Sequence, residues 1–473
     1  MDWKEILEVI ARERTEPPKT VRVGEINAHA AGLPQPRRVE PPVELPALEV
    51  NEAFLRAIGL IESGAPLLFI TGKAGTGKST FIDFLRVVSK KNIAVTAPTG
   101  VAALRARGQT IHSFFHFPPR PIDPESLKPL YDRRVFRRLD VLVVDEISMV
   151  RADLFDAMEK ALRLNTGRAE RPFGGVQVVL VGDLFQLPPV VAAEEEARLF
   201  AGKYASPYFF SAHCLQDQAL AFVEMNKVYR QENEGFVRLL NAVRENEMAD
   251  RAIEELNRAC LNRDLNSDTQ LVLTPTNAVA GRINAQRLAA LAGEEVVFEG
   301  RMEGKFNIKQ DRLPAPHELR LKIGAQVMFV KNDADRRWVN GTVGVVQGFP
   351  GHSIQVAVDD GKLIHEVQQD HWDALEYRHD PDSDSLIVEI IGRYTQFPLM
   401  PAWAVTIHKS QGQTLDQVTL DLGRGAFAPG QLYVALSRCR TMEGLRLQRP
   451  IRKGDVKVDE RIKRFHALMR AAG

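Results

Sequence analysis

Four short runs, PLLFI, NIAVTAP, VLVVDE and VQVVLVGD, constrain this chain more tightly than any other feature. Each is apolar on both faces and leads into a loop with small or acidic residues. A strand with no polar face has to be covered on both sides. The covering elements are helices, which also return the chain to the start of the next parallel strand. The pattern begins near residue 46 and reappears in TQLVLTPTN, AWAVTIHKSQG and QVTLDLG. An α/β fold with two parallel-sheet domains follows. Within the second, roughly over 303–397, the rhythm changes to AQVMFVKND, GTVGVVQGF, SIQVAVDDG and LIVEIIGRY. These β-rich runs are separated by Asn-Gly, Pro-Gly and Asp-Gly turns, as antiparallel hairpins are. The spacing predicts a small antiparallel barrel inserted into the second domain.

On this reading the first domain spans 46–222, the second spans 223–302 and 398–450, and the insertion takes 303–397. Residues 1–45 place Trp3, Ile6, Leu7 and Ile10 at helical spacing, ahead of a proline-rich linker. A C-terminal helix is expected over 451–473. The 473 residues carry 62 Lys and Arg against 61 Asp and Glu, so any strongly basic patch has to be local. Cys214, Cys260 and Cys439 are scattered without metal-ligand spacing, which points to a reducing compartment. No apolar run approaches the roughly 20 residues of a membrane span. The first residues mix acids with bases, unlike a secretory or mitochondrial leader. A cytoplasmic protein is the expectation, nucleoid-associated if bacterial.

One strand runs into the loop GKAGTGKS, which fits G-x-x-x-x-G-K-S from Gly72 to Ser79. Gly72, Gly75 and Gly77 let backbone N–H groups turn toward phosphates, and the helix that follows directs its positive end at them. Lys78 then neutralises the β and γ phosphates of ATP, and Ser79 holds Mg²⁺. Thr76 and Thr80 are counted with the loop as nucleotide contacts. VLVVDE supplies the acids: Asp145 to bind Mg²⁺ through water, Glu146 to orient or deprotonate the attacking water. Asp alone would serve a kinase. The adjacent Glu suits hydrolysis.

Further segments follow in order: APTGVAALRARGQTIHSFF, DEISMV, PFGGVQVVLVGDLFQLPPV, VYRQENEGFVRLLNAVRENE, then TIHKSQGQTLDQVTLDLG with LYVALSRCR. With them the chain resembles superfamily-one helicases, on the branch shared by RecD and the petite-integration-frequency (Pif-type) DNA helicases. The likeness runs from about residue 66 to 447. It implies two RecA-like P-loop domains with ATP between them. A small wedge would be inserted in the first, at about 114–136, and an SH3-like β-barrel in the second. It implies that Gln186 senses the γ-phosphate and that Arg230 and Arg438 act as arginine fingers from the second domain. A guanidinium can bridge phosphoryl oxygens as charge shifts in the transition state. Relatives often read adenine through a glutamine ahead of the phosphate loop. That stretch holds none here, and Asn51, with the same carboxamide, is expected in its place.

The resemblance also implies a DNA face. Pro98, Thr99 and Gly100 would offer hydroxyl and backbone N–H groups to phosphates. His112 and Ser113 would join them, and Thr406, His408 and Ser410 would do the same from the second domain. Phe114, Phe115 and Phe117 read first as core, the alternative being that one of them stacks on a base. In the insertion, VKNDADRRWVNG sets Lys331, Arg336, Arg337 and Trp338 together, either as single-strand contacts or as a solvated hairpin tip. The function implied is an ATP-dependent helicase, acting as a monomer, that translocates 5′ to 3′ on single-stranded DNA and opens forks in replication, recombination or repair. Telomere maintenance is among the family's roles. Quadruplexes and RNA–DNA hybrids are further candidate substrates. The alternative is a nucleic-acid-stimulated ATPase that remodels or clamps without unwinding, and the wedge FPPRPIDPESLKPLYDRRV is what separates the two.

Overall fold

The computed structural model describes residues 50–118, 122–190, 202–231, 233–247, 249–264 and 271–472. The expected N-terminal helix and linker lie outside these, as do residues 119–121 of the wedge.

Six parallel strands form the first sheet: β1 (Leu67–Gly72), β2 (Ile93–Ala97), β3 (Gln109–Thr110), β4 (Val141–Val144), β5 (Gln177–Gly182) and β6 (Ala221–Met225), in the order β3-β2-β4-β5-β1-β6. Side chains alternate between its faces. Leu68, Ile70, Val143 and Val181 pack under helices Glu52–Glu62 and Lys78–Val88 through Phe54, Ile58, Phe81 and Phe84. Leu67, Phe69, Leu142 and Leu180 face helix Ala152–Thr166 on the other side. This is why β1, β4 and β5 are buried along their whole length.

The wedge is anchored to that second layer. Leu130 N–H donates to Asn165 Oδ1 at 2.8 Å, and Phe114, Phe115, Phe117 and Phe136 cluster in the core. The three phenylalanines considered for base stacking are therefore core residues. Tyr131, by contrast, stands fully in solvent.

The second parallel sheet has the order Ala404–Thr406, Val272–Thr274, Val418–Leu420, Leu445–Leu447. Helices Glu234–Glu245, Ala249–Cys260 and Gln431–Leu436 enclose its core. The insertion centres on five antiparallel strands in the order Leu363–Val367, Ile354–Val358, Val343–Gly348, Gln326–Phe329, Leu399–Pro401. Trp338 stacks on Phe329 at 4.4 Å inside it.

Three boundaries differ from the expectation. β6 crosses residue 222, and the insertion's strands run from Val296 to Pro401. The C-terminal helix, Glu460–Ala472, joins the first domain, with Phe465 on Phe210 at 4.5 Å and Arg470 paired to Glu224 at 2.7 Å. Composition marks a strand but not the sheet it enters.

A long hairpin, Asp370–Asp380 with Ser385–Gln396, leaves the insertion and docks on the first domain. β3 is only two residues long, so it leaves β2 short of partners. The hairpin fills the gap. Val95 N–H donates to the Tyr377 hydroxyl at 2.8 Å, Tyr377 N–H to Gln109 Oε1 at 3.2 Å, and Leu386 N–H to Asn92 Oδ1 at 3.0 Å. Tyr377→Phe should strand the buried Val95 amide and lower stability by about 1–3 kcal/mol. Urea unfolding measures this; an unchanged midpoint would mean that the amide has another acceptor.

Candidate functional site

The phosphate loop lies at the carboxyl end of β1. Gly75 and Gly77 adopt φ of 78° and 86°, which L side chains resist. A Cβ on Gly72 would fall 2.5 Å from Thr76 Oγ1 and 2.8 Å from the Met225 carbonyl. Helix Lys78–Val88 starts directly on Gly77, so its N-terminal amides face the loop, with Ser79 exposed and Thr80 half-buried on its first turn. Lys78 Nζ donates to the carbonyls of Gly72 (2.7 Å) and Lys73 (3.0 Å). Burial pushes its ammonium pKa down, against the pull of Asp183 and Glu146.

Asp145 and Glu146 follow β4, as the apolar run implied. Glu146 N–H donates to Asp145 Oδ1 at 2.9 Å, and Glu146 itself sits at φ 51°, in the left-handed region. Burial raises both carboxyls. The neighbouring Glu146 adds to the rise at Asp145, while Lys78, Arg105 and Arg438 counter it at Glu146. The Ser79 hydroxyl and the Asp145 carboxylate are hard oxygen donors of the kind Mg²⁺ accepts. Among the described residues no group of three or more His, Cys, Asp or Glu could hold a metal. A cation here would complete its shell with phosphate oxygens and water.

Asp183, after β5, is fully buried and accepts from Arg244 at 2.8 Å and from Gln186 Nε2 at 3.3 Å. Burial would raise its pKa, but Arg244 and Lys78 outweigh that and hold it low. Arg244 also lies 4.1 Å from the Phe185 ring centroid. Arg438 is buried, with Nε on the Val434 carbonyl (3.0 Å) and Nη2 on Ser437 Oγ (2.9 Å). Burial, then the like charge of Arg230, pushes it down to about 9. Arg230 reaches the Ser437 carbonyl at 3.4 Å, and its Cβ stands where a side chain on Gly75 would go. Lys78, Glu146, Gln186, Arg230 and Arg438 thus share one interdomain cleft. Asn51 caps helix Glu52–Glu62, accepting from Phe54 N–H at 3.0 Å and donating to the Tyr229 hydroxyl at 3.1 Å. Its acceptor is committed to the helix.

The DNA-face residues divide. Thr99 begins helix Gly100–Arg105, just after Pro98, and its hydroxyl accepts from Ala102 N–H at 3.2 Å. His112 and His408 are half-buried, and burial lowers both pKa values. Ser113 is exposed. Thr406 and Ser410 are corrections to a picture of open contacts. Both are buried; Thr406 Oγ1 accepts from Lys409 N–H and Ser410 Oγ donates to the Ile407 carbonyl at 2.9 Å, so they shape the turn. In the insertion, Trp338 is core, Arg337 is paired with Asp333 at 2.6 Å, and Lys331 with Asp370 at 2.8 Å. Arg336 alone of that cluster is an exposed cation outside such a pair among the ion pairs described.

Sequence reasoning missed five residues: Arg105, Asp183, Arg244, Gln411 and Tyr433. Tyr433 accepts the phosphate-loop Ala74 N–H at 2.9 Å across 359 residues. No local pattern marks it. Asp183 carried the same signal as Asp145, an acid directly after an apolar strand.

Residues 49–253 match the family described as PIF1-like helicase, and residues 306–349 match the DNA helicase Pif1 2B domain. The chain is 34% identical over 409 residues to the ATP-dependent DNA helicase Pif1 of Bdellovibrio bacteriovorus, covering 85% of this chain and 88% of that protein. The chain belongs to the PIF1-like helicase family. A human relative, ATP-dependent DNA helicase PIF1, is 34% identical over 452 residues, 92% of this chain and 66% of the human protein. The chain thus spans about two thirds of that relative's length. The unliganded Pif1 structure from Bacteroides sp. superposes with a TM-score of 0.81 at 34% identity, covering 90% of this chain and 98% of that one. The same Pif1 bound to ssDNA gives 0.65. The PIF1-like fold therefore accounts for both parallel sheets and for the insertion.

Arg244→Ala would leave the Asp183 charge buried and unpaired, so stability should fall by about 3–5 kcal/mol. Denaturant unfolding reads this directly. A loss under about 1 kcal/mol would mean that Lys78 alone compensates Asp183.

Proposed function

We propose that this chain is an ATP-driven helicase that translocates 5′ to 3′ on single-stranded DNA and opens the duplex ahead of it. The observation that carries this is the cleft. The first domain supplies the loop, Lys78 and Glu146, and the second supplies Arg230 and Arg438. A site divided in this way can hydrolyse ATP only when the two sheets approach, which makes turnover a mechanical event. The relatives' names, ATP-dependent DNA helicase, support the same reading.

In the cycle, Lys78 and the loop amides hold the β and γ phosphates. Glu146 orients the attacking water and takes its proton. Gln186 hydrogen-bonds at the γ-phosphate, and Arg438 and Arg230 offset the charge that develops there. Mg²⁺ on Ser79 and Asp145, when bound, supplies charge neutralisation of the phosphate oxygens. Single-stranded DNA lies across both domains, along the helix that Thr99 caps and the turn that holds His408. Tyr131, exposed on the wedge, meets the fork.

Lys78→Ala and Glu146→Gln should fail differently. Without Lys78, ATP affinity and turnover both drop. With Glu146→Gln, ATP binds and stays unhydrolysed. Nucleotide titration with turnover measurement separates them, and a Glu146→Gln enzyme at parental rate would remove Glu146 as the base.

The motor reading is tested by ATPase rate against DNA concentration, together with unwinding of duplexes that carry a 5′ or a 3′ tail of DNA or RNA. Single-stranded DNA should stimulate strongly, and only the 5′-tailed DNA duplex should open. Arg438→Ala should keep DNA binding and lose about 10³-fold in stimulated rate. A parent enzyme equally fast with and without DNA would sink the reading. Stimulation without unwinding would leave the remodelling ATPase.

A further inference from the structure

The two segments assigned to DNA meet at one residue, Gln411. From the second domain, the turn after strand Ala404–Thr406 carries His408 and runs into Gln411. It is closed by Ser410 N–H on the Thr406 carbonyl (3.0 Å) and Gln411 N–H on the His408 carbonyl (3.2 Å). From the first domain, helix Gly100–Arg105 starts on Thr99 and ends at Arg105, whose guanidinium donates to the Gln411 carbonyl. The next residue leaves room for that contact. Gly412 has φ 79°, and a Cβ there would lie 2.3 Å from Arg105 Nη1.

The Gln411 side chain is buried and turns into the nucleotide cleft. Its Nε2 donates to Glu146 Oε2 at 3.3 Å and to Gln186 Oε1 at 3.4 Å. One amide thus engages the two groups that hydrolysis needs aimed at water and at the γ-phosphate. Glu146 is held in a left-handed backbone conformation, which persists only where surroundings impose it.

We infer that Gln411 is a positioning residue that holds Glu146 and Gln186 out of the hydrolytic arrangement until DNA on the Thr99 helix and the His408 turn moves it. The inference rests on the helicase reading. Its physical content is a linkage: contacts that DNA makes with either segment shift the backbone to which Gln411 belongs, and the amide leaves the carboxylate as a consequence. The arrangement described here is closer to Bacteroides Pif1 unliganded or in complex with ADP-AlF4, with TM-scores of 0.81 and 0.82, than to the form bound to ssDNA, at 0.65.

The experiment compares the full-length parent with Gln411→Ala and Arg105→Ala. ATP turnover and KM are measured with and without an oligo-dT strand, alongside DNA affinity and thermal unfolding. Gln411→Ala should raise DNA-free turnover about tenfold, the weight of one hydrogen bond to a charged group, with DNA-saturated turnover of the same order as the parent's. The stimulation ratio then collapses. Structural damage would lower the DNA-free rate, so a rise is diagnostic. Arg105→Ala, a change to an exposed side chain, should move the ratio the same way by less. A DNA-free rate at or below the parent's, with stimulation retained, overturns the inference and leaves the helicase reading intact. A parent that DNA does not stimulate overturns both. Should Gln411→Ala not fold, Arg105→Ala decides, and an unchanged ratio there overturns the inference.

Discussion

Two carboxylates at the end of a buried strand govern this molecule. Asp145 and Glu146 sit side by side where water is scarce, and Asp183 ends the neighbouring strand at full burial. Carboxylates in such a place need cations within reach. The first domain brings Lys78 and Arg105. The others, Arg244 and Arg438, belong to helices of the second domain or the turn that follows one. The charge balance of the cleft is therefore complete only when both sheets face it. Arg230 and Arg438 repel each other there, a repulsion that an anionic group between them would relieve. The separation of the two domains becomes a chemical variable.

The same geometry explains why the segments proposed for nucleotide and for DNA are interleaved. In parallel sheets the loops at the carboxyl ends of the strands are the ones that converge. β1 leads to the phosphate loop, β2 to Thr99 and its helix, and β4 to Asp145; in the second sheet Ala404–Thr406 leads to His408 and Gln411. The adjacent strands β2 and β4 thus bring Thr99 and Asp145 to positions one strand spacing apart. Few residues are needed to join them.

The inserted hairpin extends this logic. A two-residue β3 leaves β2 unfinished, and a side chain from the insertion supplies the missing acceptor. The ion pair of Arg138 and Asp384 at 2.5 Å fastens the hairpin's turn to the helix that closes the wedge. The insertion is a working part of the first domain's surface as well as an appendage of the second.

Much of this was legible in the chain itself. The apolar runs and the turn dipeptides determined two parallel sheets and a β-rich insertion, because burial and backbone geometry act over a few residues. Gly72 to Ser79 determined a phosphate cradle for the same reason, since the positive φ of Gly75 and Gly77 is a local demand. Asp145 and Glu146 were readable as acids that end a buried strand. Long-range contacts were not readable. Trp338 looks like a stacking surface until the fold turns it inward, and Ser410 looks like a contact until its hydroxyl is seen on Ile407. Tyr433 on Ala74, Arg244 on Asp183 and Gln411 on Glu146 join residues far apart in sequence. Each of those partners is set by where two sheets come to rest, and side-chain reach across a cleft leaves no mark on local composition.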